Sequence, residues 1–318
     1  MQNFLDFEKP LLEIQTKIEE LRHLKDDSLN IANELTQLQD KFDKKLREIY
    51  SELTPWQKVK ICRHQDRPKF QDFINNIFDE YVELSGDRLF SEDSAIRGGL
   101  ANFEGYSCMI MGNDKGKDID SRLKNNFGMA KPEGYRKAKR LMTLAGKFSL
   151  PVITFIDTPG AYPGVDAEDR GQSEAIASSI KLSLKLPSPI LSFIIGEGGS
   201  GGAIALATAN QVVMLEHAIY SVISPEGCAS ILWRNTEASD KAAESLKLTA
   251  QDLLELKVVD KIIKEPLGGA HRDVKEVCLS LKHNISSFLK NVVGISPEDI
   301  IKQKRVKFLK IGNEFIDN

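Results

Sequence analysis

The sequence predicts an α/β fold that carries a helical hairpin at its N-terminus, and three observations lead there. From Gly86 onward, short apolar runs that end in glycine turns alternate with stretches of helical periodicity, the pattern of strands joined by helices. Ahead of them, residues 7–50 are polar with apolar residues at steps of three and four. The chain has 318 residues, enough to bury a large core, and no apolar run reaches membrane-spanning length.

Taken in order, Leu11, Ile14, Ile18 and Leu21 form one stripe, and Ile31, Leu35, Leu38, Phe42, Leu46 and Ile49 form a second. Asp26, Asp27, Ser28 and Asn30 cluster between them as cap formers and predict two helices, a hairpin over 1–53 that packs on the chain's own core or on a partner. Linking helices follow over 54–85: PWQKVKICRH, opened by Thr54-Pro55, and KFQDFINNIFDEYVEL, opened by Pro68 and stopped by Ser85-Gly86. Strands are predicted in AIRGGLANFEG, YSCMIMGND, PVITFIDTPG, PILSFIIGEGG and QVVMLEHAIYSVISPEG, with helices from Glu133 to Phe148, Glu168 to Leu186 and Ala203 to Ala209. A helix from Arg272 to Leu289 closes the main domain, 86–293, and residues 294–318 are expected to form a charged tail ordered only in part.

Composition narrows the function classes. Lysine and arginine number 43 against 46 acids, a net charge of −3, which argues against bulk electrostatic binding to nucleic acid or to an anionic membrane. Cys62, Cys108, Cys228 and Cys278 form no CxxC pair, so neither a disulfide nor zinc is expected in this chain. The opening MQNFLDFEKP has acids and no basic or apolar leader, which predicts a cytoplasmic protein.

The most informative stretch is Ile194 to Leu206, IIGEGGSGGAIAL, where five glycines separate a strand-like run from a run of small helix formers. Such a loop presents main-chain N–H groups at a helix N-terminus and suits an anion, or an oxygen becoming one. Gly196 to Gly201 fits GxGxxG, with Glu216 placed as the ribose acid of a dinucleotide site. Gly198 to Gly202 fits GxSxG, with Ser200 as nucleophile and Asp260 and His271 as partners. GNDKGK at 112–117 is one residue short of a phosphate loop, and Asp157-Thr158-Pro159-Gly160 is simply a strand end turning through proline and glycine. No metal-spaced cluster and no obvious general base accompany these loops, so main-chain donors and a cofactor are left to do the chemistry, if there is any.

Five segments then carry a resemblance: NNFGMAKPEGYRKAKRLM at 125–142, FIDTPGAYPGVDAEDRGQSEAIA at 155–177, GEGGSGGA at 196–203, YSVISPEGCASILW at 220–233 and EPLGGAHRD at 265–273. Together they resemble the α subunit of bacterial-type acetyl-CoA carboxylase carboxyltransferase over nearly the whole chain; Gln65 and Lys117 depart from the family's usual proline and arginine. The resemblance implies a crotonase fold of ββα units wound into a superhelix. It implies transfer of a carboxyl group from carboxybiotin, tethered to a biotin carboxyl carrier protein charged by biotin carboxylase, to acetyl-CoA, giving malonyl-CoA for fatty acid synthesis. A zinc-bearing β subunit of the same fold is implied as partner in an α2β2 assembly.

By the same resemblance, the peptide N–H groups of Gly201 and Gly202 are the biotin-side oxyanion donors, and the turn Phe127-Gly128-Met129 contributes beside them. Asp157, Ala161 and Tyr162, with Gly198 and Gly199, are expected to line the cleft. Because the biotin anion itself can take the methyl proton, no protein base is required. The alternative is a self-sufficient crotonase-type acyl-CoA hydratase or isomerase, for which Glu197 or Glu226 supplies the carboxylate. The cluster Arg136, Lys137, Lys139 and Arg140 either steers an acidic substrate or is a solvated helix face, and SPEG at 224–227 equally serves subunit contact.

Overall fold

The computed structural model describes residues 3–23 and 29–313. The predicted break at Asp26, Asp27 and Ser28 lies outside them. Helix α1 (Lys9–His23) and helix α2 (Leu29–Ser51) pair through their stripes, with Leu11, Ile14, Ile18, Phe42 and Leu46 buried in a small core of their own. One end of this hairpin is fastened to the chain itself. Glu8 is fully buried, accepts the Leu5 N–H at 2.8 Å, and lies 3.1 Å from Arg272 and 3.0 Å from the Tyr50 hydroxyl. That hydroxyl also reaches the Gly268 carbonyl at 2.9 Å.

Helix α3 (Pro55–Cys62) starts with a capping box in which Thr54 accepts the Gln57 N–H, and helix α4 (Phe70–Ile77) follows. The helix expected to run to Leu84 stops at Ile77. Phe78 is already extended, and strand β1 (Glu80–Glu83) pairs antiparallel with strand β2 (Ile96–Phe103). The strand-favouring pair Tyr81-Val82 finds a partner edge there, and pairing outweighs the helical period.

The remaining elements are strand β3 (Tyr106–Asn113), helix α5 (Ile119–Lys124), helix α6 (Pro132–Lys147), strand β4 (Val152–Thr158), helix α7 (Val165–Asp169), helix α8 (Gln172–Lys185), strand β5 (Ile190–Gly199) and helix α9 (Ser200–Ala207). Then come strands β6 (Gln211–Leu215) and β7 (Ile219–Ser221), helices α10 (Pro225–Trp233), α11 (Ser239–Ser245) and α12 (Ala250–Glu255), strand β8 (Lys261–Ile263) and helices α13 (Val274–Val292) and α14 (Pro297–Lys310). Two differences from the sequence reading have local causes. Gly171, at φ +82, splits the helix expected from Glu168 into α7 and α8. The tail expected after Gly294 contains α14, started by Ser296 as N-cap and Pro297 at its first position; it buries Ile300 and Lys304, and Lys304 donates to the Leu186 carbonyl at 2.7 Å.

The sheet runs β1-β2-β3-β4-β5-β6-β8, antiparallel up to β3 and parallel beyond, with β7 paired to the end of β5. Every residue of β4 is buried, as expected of a parallel strand covered on both faces. On one face Phe73 of α4 stacks on Phe155, which stacks in turn on Phe193 of β5, at 5.8 and 5.6 Å between rings. Alternation places Thr154 on the other face, where its hydroxyl lies 3.0 Å from the Leu206 carbonyl of α9. The loops that carry the glycine motifs therefore gather at the carboxyl ends of β3, β4 and β5, where open parallel sheets place ligands. All four cysteines are buried free thiols. Among the described residues no helix is long and apolar enough to cross a membrane.

His271 illustrates a cost built into this packing. Its ring stacks on His64 at 3.8 Å, and both of its nitrogens are buried without a hydrogen-bond partner. Burial, helped by His64, pushes its pKa down to about 3. Between pH 6.5 and that value the unfolded chain takes up a proton that the folded chain refuses, so stability falls as the pH drops, by up to about 1.4 kcal/mol per pH unit. His271→Asn is expected to flatten that slope, as measured by urea unfolding midpoints from pH 7 down to pH 4.

Candidate functional site

Two glycine-rich segments close on each other here. A side chain at Gly199 would meet the Pro159 carbonyl oxygen at 2.1 Å, one at Gly196 the Asp157 carboxylate at 2.3 Å, and one at Gly202 the backbone of Gly160 and Ala161 at 2.8 and 2.9 Å. The three glycines, spaced by three, let the end of β5 and the start of α9 lie flush against residues 157–161. Gly201 differs: a side chain there would find only Ile176, at 3.6 Å, an ordinary contact. Packing thus demands glycine at 202 and not at 201. Helix α9 has no side-chain cap at Gly199, and its first-turn N–H groups, those of Ser200, Gly201 and Gly202, have no carbonyl one turn back to accept them.

The other expected residues sit around this turn. The Tyr162 N–H donates to the Ala130 carbonyl at 3.0 Å, and the Gln172 side-chain amide binds the carbonyls of both Ala130 and Tyr162, tying the loop after β4 to the entry of α6. The Tyr162 ring lies under the Lys131 ammonium, 4.8 Å away. In the turn at 127–129 the Gly128 and Met129 N–H groups are already donated to the Asn125 and Asn126 carbonyls. What that turn presents outward is the Phe127 ring, 46% exposed and held at φ +55. Gly198 lies within β5 against the Tyr220 ring.

Asp157 is buried and ionised rather than open to the cleft. Burial alone would raise its pKa, but Lys115 at 2.8 Å and Lys69 at 3.8 Å hold it below the usual carboxylate range. Glu197 is treated likewise: burial opposes its charge, and Lys115 at 2.5 Å and Arg63 at 2.6 Å overcome burial and lower its pKa. A carboxylate clamped this way is a poor general acid or base, which removes one of the two carboxylates open to the hydratase alternative. Glu226 is paired with Arg63 at 2.5 Å. Sequence reasoning missed Lys115, Lys69 and Arg63 as members of this group. The available signal was Lys115 itself, a lysine two residues past the end of β3, set aside together with the failed phosphate loop.

The other motif readings fail on geometry. Gly196 and Gly198 are strand residues, so GxGxxG forms no phosphate-binding turn. Ser200 does have a strained φ of +54, yet Asp260 is engaged by the Val212 N–H and Lys307, and His271 has no hydrogen-bond partner; no triad exists. Three of the four basic residues on α6 serve the fold: Arg136 binds Asp87 at 2.8 Å, Lys137 binds Glu92, and Arg140 binds the Leu84 carbonyl at 2.7 Å. SPEG is the start of α10, with the Gly227 N–H capped by Ser224.

The family model described as acetyl co-enzyme A carboxylase carboxyltransferase-like matches residues 4–312. The chain belongs to this family. It is 56% identical to the acetyl-coenzyme A carboxylase carboxyl transferase subunit alpha of Paramagnetospirillum magneticum, over 98% of both chains. To that of Ruegeria pomeroyi it is 55% identical, over 99% of both. As a carboxyltransferase α subunit it is a component of an enzyme, acetyl-CoA carboxylase. The fold is that of the crotonase-like carboxyltransferases. Transcarboxylase 12S superposes with a TM-score of 0.58 at 18% identity, covering 74% of this chain and 44% of that one. A Pseudomonas malonate decarboxylase hetero-dimer chain superposes with 0.57 at 13% identity, covering 73% and 91%.

Proposed function

We propose that the uncapped first turn of α9 is this carboxyltransferase subunit's oxyanion site, and that it works on a carboxyl group bound for acetyl-CoA in a cleft completed by a β subunit. The observation that carries the reading is the pair of adjacent glycines: Gly202 pressed against Gly160 and Ala161, and Gly201 bare without a packing reason. Carboxybiotin, delivered on its carrier protein, supplies the activated carboxyl group. The chain's own part is to orient and to stabilise charge. The Gly201 and Gly202 N–H groups donate to the oxygen that gains negative charge, and the α9 dipole points the same way. The Phe127 ring and the Ala161-Tyr162 loop wall the cleft and exclude water. The partners that follow are a zinc-bearing β subunit in an α2β2 assembly, the carrier protein and biotin carboxylase, in the cytoplasm.

Assay of malonyl-CoA formation from carboxybiotin and acetyl-CoA tests this, with the chain alone and with its cognate β subunit. Turnover is expected only from the pair. Turnover by the chain alone, or hydration of an enoyl-CoA by it, overturns the shared site.

A further inference from the structure

One side chain touches the carboxyl ends of three strands. Lys115 leaves β3 and brings its Nζ to 2.8 Å from Asp157 Oδ1 at the end of β4 and to 2.5 Å from Glu197 Oε2 at the end of β5. Its stem bounds the third loop: a side chain at Gly128 would meet Lys115 Cγ at 2.9 Å and the Asp157 carbonyl oxygen at 2.8 Å. Asp157 Oδ1 also accepts the Glu197 N–H at 3.0 Å, which pins the β5 backbone a few residues before Gly201 and Gly202. Around this point Arg63, Lys69 and Lys115 face Asp157, Glu197 and Glu226, three charges against three. Remove the lysine and two buried carboxylates are left converging on a vacated centre.

We infer that Lys115 is the positioning residue of the oxyanion turn: by its charge it holds the loops after β3, β4 and β5 at the spacing that aims the Gly201 and Gly202 N–H groups. It does not touch substrate. The inference rests on the function proposed above, and its test separates the two. The charged and titratable groups facing Lys115 and its two carboxylates are Asp157 on β4, Glu197 on β5, Arg63 and Cys62 at the end of α3, and Arg67 and Lys69 before α4.

The experiment uses the complex with the β subunit and the variants Lys115→Met, Lys115→Arg and the double variant Lys115→Met/Glu197→Gln, which keeps the shape while removing the excess negative charge. Lys115→Met is expected to lower kcat roughly 10- to 100-fold, with the KM for acetyl-CoA changed by less than about threefold, the signature of misplacement rather than lost binding. Its kcat should rise as the pH falls below 7, because Asp157 and Glu197 can then share a proton, whereas the wild-type complex gains nothing over that range. Lys115→Arg should recover part of the loss. Hydrogen exchange supplies a readout independent of turnover: amides of residues 199–203 should exchange at least about threefold faster in Lys115→Met. Wild-type kcat and exchange in Lys115→Met overturn the inference while leaving the function intact. If Lys115→Met does not fold, the double variant takes its place: recovery of kcat toward wild type is expected, and wild-type exchange at residues 199–203 in a folded double variant whose kcat is still at least about tenfold down overturns it equally. A wild-type complex that makes no malonyl-CoA, with faster exchange in the variants, overturns the function alone.

Discussion

Replacing Gly202 with valine is expected to lower turnover of the assembled carboxyltransferase roughly 100-fold or more, the penalty for losing one oxyanion donor. The structure explains why this position and not its neighbour. A side chain at 202 has nowhere to go: the Tyr135 hydroxyl and the Gly160-Ala161 backbone stand within 2.9 Å of its first carbon, so the start of α9 must shift. Such overpacking costs about 1–3 kcal/mol, less than the roughly 5–15 kcal/mol by which folded domains are generally stable. Gly201→Ala separates packing from ligand: its methyl meets Ile176 at 3.6 Å and disturbs no packing, so a loss of kcat there reports a methyl crowding the oxygen. Steady-state kinetics with the β subunit should show Gly202→Val as a loss in kcat with lower stability, and Gly201→Ala as a smaller loss in kcat with stability unchanged. Wild-type kcat in both variants would show that the turn does no chemistry.

Arg67→Met is the second large effect, on stability. Arg67 and Glu265 are both fully buried and paired through two hydrogen bonds of 3.0 and 2.6 Å; Arg67 Nε also donates to the Ile195 carbonyl at 2.8 Å. Glu265 accepts the His217 and Ala270 N–H groups as well, at 3.0 and 2.7 Å. Burial works against its charge, and Arg67 reverses that so far that the pKa falls to about 2. Its contribution is thus present above the ordinary glutamate value of 4.5 and is lost as the pH falls from there toward 2. Removing one partner leaves an uncompensated buried charge, at a cost of about 3–5 kcal/mol. A thermal melt at pH 7 should show Tm lower by roughly 10 °C, and Glu265→Gln added to Arg67→Met should recover part of it. An unchanged Tm in Arg67→Met would contradict this account.

Much of the fold was legible because its strands are buried on both faces and so stand out as continuous apolar runs, PVITFIDT and PILSFII above all. What escaped was decided by neighbours distant in sequence. Residues 80–83 become a strand because the edge of β2 is there to pair with, and a helical period cannot reveal that. Helix α14 was hidden by its charge, although Ser296-Pro297 marked its start. The glycine turn was legible through its bareness, whereas Lys115 was not, since its partner Glu197 lies 82 residues away and Arg63 meets Glu197 across 134. Ion pairs of that span leave no local pattern.

The fastening of Glu8 to Arg272 bridges 264 residues, so the first turn of the chain is completed by one of its last loops. Asn3 and Asp6 already meet Asp66, His64 and Lys60, but the Glu8 anchor is complete only when the loop beyond strand β8 is in place. A chain cut before residue 272 would therefore keep the hairpin's own core and its contacts to residues 60–66 while leaving the buried Glu8 without Arg272.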